Sequence, residues 1–410
     1  MRTLAIHGGK PIRPSPLHPK VQLSTAAIAR AMELLKEGDL SRWYGGPVAR
    51  EFEHRFAQHH SVPGAVAVNS GTSALHAAYV AAGRRDGDEV IIPSACYVSA
   101  VSACVQERAV PILCDIDPRT LTASPSAIAE CVSERTRLIV PVHLYGMPTE
   151  MSPILSLATA NGLKVVEDCG QSHGGSYKGS PLGSLGDLGC FSFAPRKHIC
   201  TGQGGMVISR YPDMIDEVRK LVNKGKGDGW LAYERLGFSY AMPDLEALIG
   251  IEGLGDLEKE VERRRRAVAV YESVLEDTEL SIPVKSSELG CSFFKLPIQL
   301  PQGLEQHRDF IVSALDAENV SARPPHPPAG TIPWVSEYIA RCAERYGQRV
   351  ATTGRKDYWT GRCPTAETVL TRTFEVETGP QLPETEAERS AIAVRDVWQF
   401  VFSNGDRALR

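Results

Sequence analysis

No stretch of the 410 residues is apolar for long enough to span a bilayer, and the N-terminal MRTLAIHGGKPIRP holds no apolar core of the kind a secretory leader needs. These two lacks predict a soluble, cytoplasmic protein with no membrane partner. An excess of one charge is lacking too. Lys and Arg number 45 against 49 Asp and Glu, a formal net charge of −4, so no basic field exists to hold nucleic acid. Cysteines are present, ten of them, but no CxxC pair and no His/Cys ligand spacing occurs, so neither a disulfide framework nor a metal site is expected. Thiols such as Cys104, Cys114, Cys169 and Cys190 sit singly in apolar segments and fit small buried side chains in a reducing compartment. Internal repeats and low-complexity tracts are lacking as well. What is there is a globular composition on a chain long enough for two domains.

One basic run, Arg263–Arg266, has the composition of a nucleic-acid patch. It lies among apolar residues at helical spacing (Leu254, Leu257, Val261, Val268, Leu275), and Glu260 and Glu262 stand four residues before Arg264 and Arg266. The expectation is a solvated helix face.

Along the chain, residues 1–20 are rich in proline and glycine and predict an extended arm. Apolar residues at helical spacing from Ser24 to Glu37, behind a Ser-Thr cap, predict a helix, with a second at Glu51–His60. An alternation then sets in. Strands are expected at 65–68, 90–93, 110–117, 138–142 and 163–168, with helices at 74–83, after Tyr97, at 125–132 and at 153–161; Ser124 caps the 125–132 helix and Pro125 opens it. Near-continuous Val/Ile/Leu runs suit strands covered on both faces of a mostly parallel sheet, and the alternation implies right-handed crossovers. The expected class is α/β. From Leu236 onward a loop passes into one long helix. The expected division is an arm (1–20), a large α/β domain (21–252), and a bridging helix with a smaller α+β domain (253–410). In that last part Arg323–Pro333 reads as proline-dense loop and Cys342–Tyr358 as irregular.

The chemistry concentrates between Val165 and Val207. Asp168 ends an apolar β-branched run. Lys197 falls in a turn between a short strand, Cys190–Phe193, and a glycine-led one, Gly204–Ile208. A buried acid and a buried lysine in strand-end loops cost several kcal/mol unless something pairs with them. Pyridoxal 5'-phosphate (PLP) answers both, taking the lysine as a Schiff base while the acid keeps the pyridine nitrogen protonated. Upstream, Ser70-Gly71-Thr72-Ser73 offers what a phosphate needs: a close-approach glycine, hydroxyls and a helix starting at once.

Together with VHLYG (142–146), these segments resemble the DegT/DnrJ/EryC1/StrS family of PLP-dependent sugar and cyclitol aminotransferases, over about residues 20–275. The resemblance implies the fold-type I architecture and a homodimer with active sites at its interface. It implies that Gly71 and Thr72 contact the phosphate, joined by Ser192 of FSF. It places Tyr97 against the ring, Gln171 at the ring hydroxyl, Asp168 at the ring nitrogen, and Lys197 as the covalent lysine and proton shuttle. Dehydratase relatives carry histidine in place of this lysine, so transamination is expected, with glutamate or glutamine as donor. The acceptor would be a ketone of a sugar, a cyclitol or another natural-product precursor. Two other readings stand beside it: elimination or epimerisation on an amino-acid-like substrate, and a non-catalytic PLP-binding regulator. The sequence departs from the family pattern at Gln203, at Ser239 and Ala241, and at Arg323-Pro-Pro-His326. Those positions often serve nucleotide-sugar recognition, so an acceptor without a nucleotide is the expectation. Lys224 and Lys226 are candidates to replace the family's cross-subunit phosphate ligands.

Overall fold

The β-branched runs are too short for helices and too apolar for the surface, and they meet in one sheet. This computed structural model describes residues 2–17, 21, 23–38, 40, 45–83, 85–227, 232–283, 290–346, 362–379 and 382–405. In chain order the strands are β1 (Gly64–Val68), β2 (Glu89–Pro93), β3 (Val110–Cys114), β4 (Thr136–Ile139) and β5 (Lys164–Asp168). A hairpin of β6 (Ser176–Tyr177) and β7 (Ser180–Pro181) follows, then β8 (Leu188–Ser192) and β9 (Gly205–Ser209). The main sheet is seven-stranded in the order β1-β9-β8-β5-β4-β2-β3, and only β9 runs against its neighbours. The mostly parallel α/β sheet is therefore as expected. Successive residues go to opposite faces: Val66 and Val68 enter one apolar cluster, Ala65 and Ala67 another.

The free edge of β1 is closed by side chains. Ala67 N donates to Glu53 Oε1 (2.9 Å), Arg219 Nη2 donates to Ala65 O (3.1 Å), and the two side chains pair with each other. An edge strand satisfied in this way offers no template for another chain.

A second sheet of β10 (Lys295–Gln299), β11 (Ala322–Arg323) and β12 (Thr373–Glu377) is antiparallel, in the order β10-β12-β11. The arm is tied to this part of the molecule by buried Glu318, which accepts from Ala5 N and Ile12 N and pairs with Arg2. Among the described residues no helix is long and apolar enough to cross a membrane.

Several expectations are corrected. The long helix after Leu236 is two helices, Asp244–Gly255 and Leu257–Leu275, broken beside Gly253 and Gly255, both poor helix formers. β4 stops at Ile139, since Pro141 has no N–H for the ladder. The second helix begins four residues early, at Pro47. Ser124 precedes the Pro125–Cys131 helix, but its hydroxyl bonds Ser126 Oγ and caps no N–H. Cys342–Tyr346 is not irregular: it ends the helix Pro333–Tyr346, which buries Val335, Ile339, Cys342 and Ala343 at helical spacing. The rest of that stretch, 347–358, lies outside the described residues. The arginine run is not a solvated face throughout, because Arg264 is fully buried. It pairs with Glu260 (2.8 Å) and donates to the carbonyls of Phe293, Phe294 and Arg196.

Candidate active site

The phosphate-type turn forms because Ser70 has extended backbone and its hydroxyl accepts from Ser73 N (3.1 Å), capping the helix Gly71–Ala81. The helix starts hard against the end of β8. A Cβ on Gly71 would lie 2.5 Å from Ser192 Cβ, so only glycine fits there. Thr72 Oγ1 and Ser99 Oγ share a hydrogen bond of 2.8 Å. The first-turn N–H groups and the helix dipole make this corner suited to an anion.

Asp168, at the end of β5, is 9% exposed. Its Oδ1 accepts from Gly170 N (2.9 Å), and its other oxygen makes no hydrogen bond within the described residues. Burial raises its pKa, against the pull of that N–H and of Lys197. Behind it, Glu167 is saturated by His143 Nε2 and the N–H groups of Gly183, Leu185 and Gly186, while His143 Nδ1 accepts from Thr149 N. His143, Glu167 and Cys169 lie close enough to hold a metal ion, but the protein already uses the lone pairs of the first two.

Lys197 follows β8 in a turn whose preceding residue, Arg196, has φ +72°. Such a conformation is costly for a residue with a side chain, and here the surroundings hold it. Arg196 pairs with Glu377 (2.6 Å) and its carbonyl accepts from Arg264. Lys197 Nζ lies 4.2 Å from the centre of the Phe294 ring. Burial lowers its pKa to about 8, with Lys295 and Arg264 adding to the shift and Asp168 opposing it.

Tyr97, after β2, is half-exposed, with its ring edge-to-face against His326 at 5.2 Å. Gln171 Oε1 accepts from Tyr145 N (2.8 Å). The structure brings together the seven residues that the family resemblance assigns to the cofactor: Gly71, Thr72, Tyr97, Asp168, Gln171, Ser192 and Lys197 all line a single cavity of about 390 Å³. Gln203, Arg323 and His326 line it too, whereas Ser239, Ala241, Lys224 and Lys226 do not. A larger cavity of about 580 Å³ lies along the β1 edge beside Glu53 and Arg219, and of the site residues above only Ala241 lines it.

Sequence reasoning missed Arg196, Phe294, Lys295, Glu375 and Glu377. A signal existed for the last two: in TFEVE the acids alternate, so both fall on one face of β12.

The groups present fit PLP: a capped helix N-terminus for the phosphate, a buried acid with one oxygen uncommitted, an aromatic ring at the mouth, and a lysine kept partly neutral. A lysine and an acid set at strand ends of a mostly parallel sheet define a PLP enzyme of fold-type I. The chain belongs to the DegT/DnrJ/EryC1/StrS aminotransferase family, whose model matches residues 22–395, and it is a PLP-dependent aminotransferase. It is 36% identical over 290 residues to a GDP-perosamine synthase of Caulobacter vibrioides, covering 69% of this chain and 77% of that one. It is 35% identical over 339 residues to an L-glutamine:2-deoxy-scyllo-inosose aminotransferase of Streptomyces paromomycinus, covering 77% and 79%. Among solved structures it is similar to DesV of S. venezuelae, with a TM-score of 0.80 and 28% identity over 90% of this chain and 94% of that one.

Proposed function

We propose that the enzyme moves an amino group from glutamine or glutamate to a ketone on a cyclitol or unactivated polyol, with Lys197 as the covalent and proton-carrying residue. The observation that carries this reading is the single cavity in which Lys197, Asp168 and the Gly71 corner meet. When bound, the cofactor's ring takes up the electron pair released as the substrate's Cα–H bond breaks. The protein's part is to place and to neutralise. Gly71, Thr72 and Ser192 would hold the phosphate, Tyr97 would cover the ring, Gln171 would meet the ring hydroxyl, and Asp168 would keep the ring nitrogen protonated. Lys197 Nζ would hold the cofactor covalently and would carry the proton of the substrate's Cα, a task that needs a neutral amine near pH 7. Borohydride reduction of the holoenzyme followed by peptide mapping should tag Lys197; a tag on another lysine would overturn the assignment.

The acceptor choice is supported by the similarity to the inosose aminotransferase, whose name also gives glutamine as donor. It is supported too by the small side chains Ser239 and Ala241, where the family often supplies phosphate ligands. The similarity to the GDP-perosamine synthase pulls the other way. A neutral polyol needs hydrogen-bonding groups, whereas a diphosphate calls for several cations along its path. Turnover on a keto-inositol is expected to exceed that on a nucleotide-linked keto sugar, and the reverse order would sink the claim.

The working unit in this reading is a cytoplasmic homodimer serving secondary metabolism. Helix Thr25–Glu37 turns Ile28, Met32 and Leu35 outward, each about half-exposed, and Leu236 is 78% exposed. A solvent-facing apolar stripe at helical spacing fits contact with a second copy. The division into arm (1–20), large domain (21–252) and small domain (253–410) belongs to the same proposal.

A further inference from the structure

The small sheet turns a charged face toward the cavity, and its pairing leaves one cation over. Glu375 and Glu377 lie two residues apart in β12 and share that face. Across the ladders, Glu375 stands opposite Arg323 and Glu377 opposite Lys295. The ion pairs do not follow that register. Lys295 pairs with Glu375 on the diagonal, and Glu377 pairs with Arg196 from the turn that carries Lys197. Both carboxylates are thereby committed. The Arg323 side chain makes no hydrogen bond or ion pair among the described residues, is exposed, and lines the same cavity as Lys197.

We propose that Arg323 anchors the α-carboxylate of the amino donor. The inference rests on the aminotransferase reading and deepens it. One cavity must take two unlike substrates in turn, and every amino-acid donor carries a carboxylate on the carbon that bears the amine, whereas a polyol ketone carries none. Lys197 has to stay neutral for its proton work, and Lys295 and Arg196 are held by acids of the sheet. That leaves Arg323, whose planar fork matches a carboxylate in two parallel hydrogen bonds. Its backbone is fixed from both sides, by the pairing of β11 with β12 and by Pro324 and Pro325 behind it. An anchor placed before the ligand arrives loses little freedom on binding. His326, further along the same wall, is packed against Tyr97, and burial lowers its pKa, so near neutral pH it adds no competing cation.

The test uses holoenzyme and glutaramate, which is glutamine without its α-amine and therefore carries that one carboxylate. Its affinity is read by titration calorimetry, which needs no turnover, beside the KM values for donor and acceptor. Arg323→Gln should weaken glutaramate binding and raise the donor KM by about 10- to 100-fold, the range for a charged hydrogen-bonded partner. The acceptor KM should stay within about twofold on the same ground, and Arg323→Lys should recover part of the loss. Unchanged glutaramate affinity overturns the proposal. So does a loss confined to a nucleotide-linked keto sugar, which would make Arg323 a phosphate ligand. If Arg323→Gln does not fold, protection of Arg323 from phenylglyoxal by glutaramate in the wild-type enzyme decides the matter, and absence of protection overturns it. A wild-type enzyme that binds glutaramate yet transfers no amine would sink the aminotransferase reading instead.

Discussion

Lys197 shows how little of a residue's chemistry resides in the residue. At pH 7 an amine with a pKa of about 8 is neutral in roughly one molecule in ten, against fewer than about one in a thousand for an ordinary lysine. Burial does most of this, and the positive charges of Lys295 and Arg264 add to it. The rate should therefore rise with pH as Lys197 loses its proton. Lys295→Met removes a neighbouring cation and leaves Glu375 without its partner, and both changes raise the pKa of Lys197. The rising limb of kcat against pH should accordingly move to higher pH, and an unmoved or lowered limb would contradict this account. Lys197 and Asp168 were legible because each sits at a strand end beside other telling residues. Lys295 was not, since a lone lysine opening a strand looks the same whether it faces water or a cofactor pocket.

At the scale of elements, the junction of the helix Gly71–Ala81 with β8 forms the corner proposed for the phosphate. Gly71→Ala would put a methyl group 2.5 Å from Ser192 Cβ, and the helix would have to retreat. Overpacking of this kind costs about 1–3 kcal/mol, measurable by denaturant unfolding of the apo-protein. Because the corner itself moves, PLP affinity should fall by at least about tenfold; an unchanged affinity would show that the phosphate lies elsewhere. The strands were legible from their apolar runs, with bounds off by a few residues where a proline ended the ladder. The helix Pro333–Tyr346 was hidden by its arginines, which crowd the outer face while Val335, Ile339, Cys342 and Ala343 carry the buried one. Arg264 was hidden the other way. Its run of four arginines looked solvated, yet one guanidinium is drawn inside to bind three backbone carbonyls, two of them from the cavity-lining residues Phe294 and Arg196.

At the scale of the molecule, the cavity is built from both sheets: the lysine turn and helix corner from one, Lys295 and Arg323 from the other. The Arg196–Glu377 pair and Arg264 tie the two together. The outward stripe of Ile28, Met32 and Leu35 is the surface on which a second copy is expected to sit. Light scattering should give a dimer for the wild-type protein, and Met32→Glu should weaken it by placing a charge in an apolar contact. A monomer that turns over at full rate would refute the interface.

The sequence by itself determined the α/β class and the cofactor, and it pointed to residues that the fold gathers around one cavity, because those depend on local pattern: alternating strands and helices, a glycine-led helix start, an acid and a lysine at strand ends. Only the tertiary structure decided which charges surround that site. Glu375, Glu377, Lys295, Arg323, Arg196 and Arg264 come from segments far apart in the chain, and whether a charge is paired, buried or left facing the cavity depends on which strands lie side by side. Register and packing set those distances, and Coulomb interactions at such distances decide how an arginine or a lysine behaves.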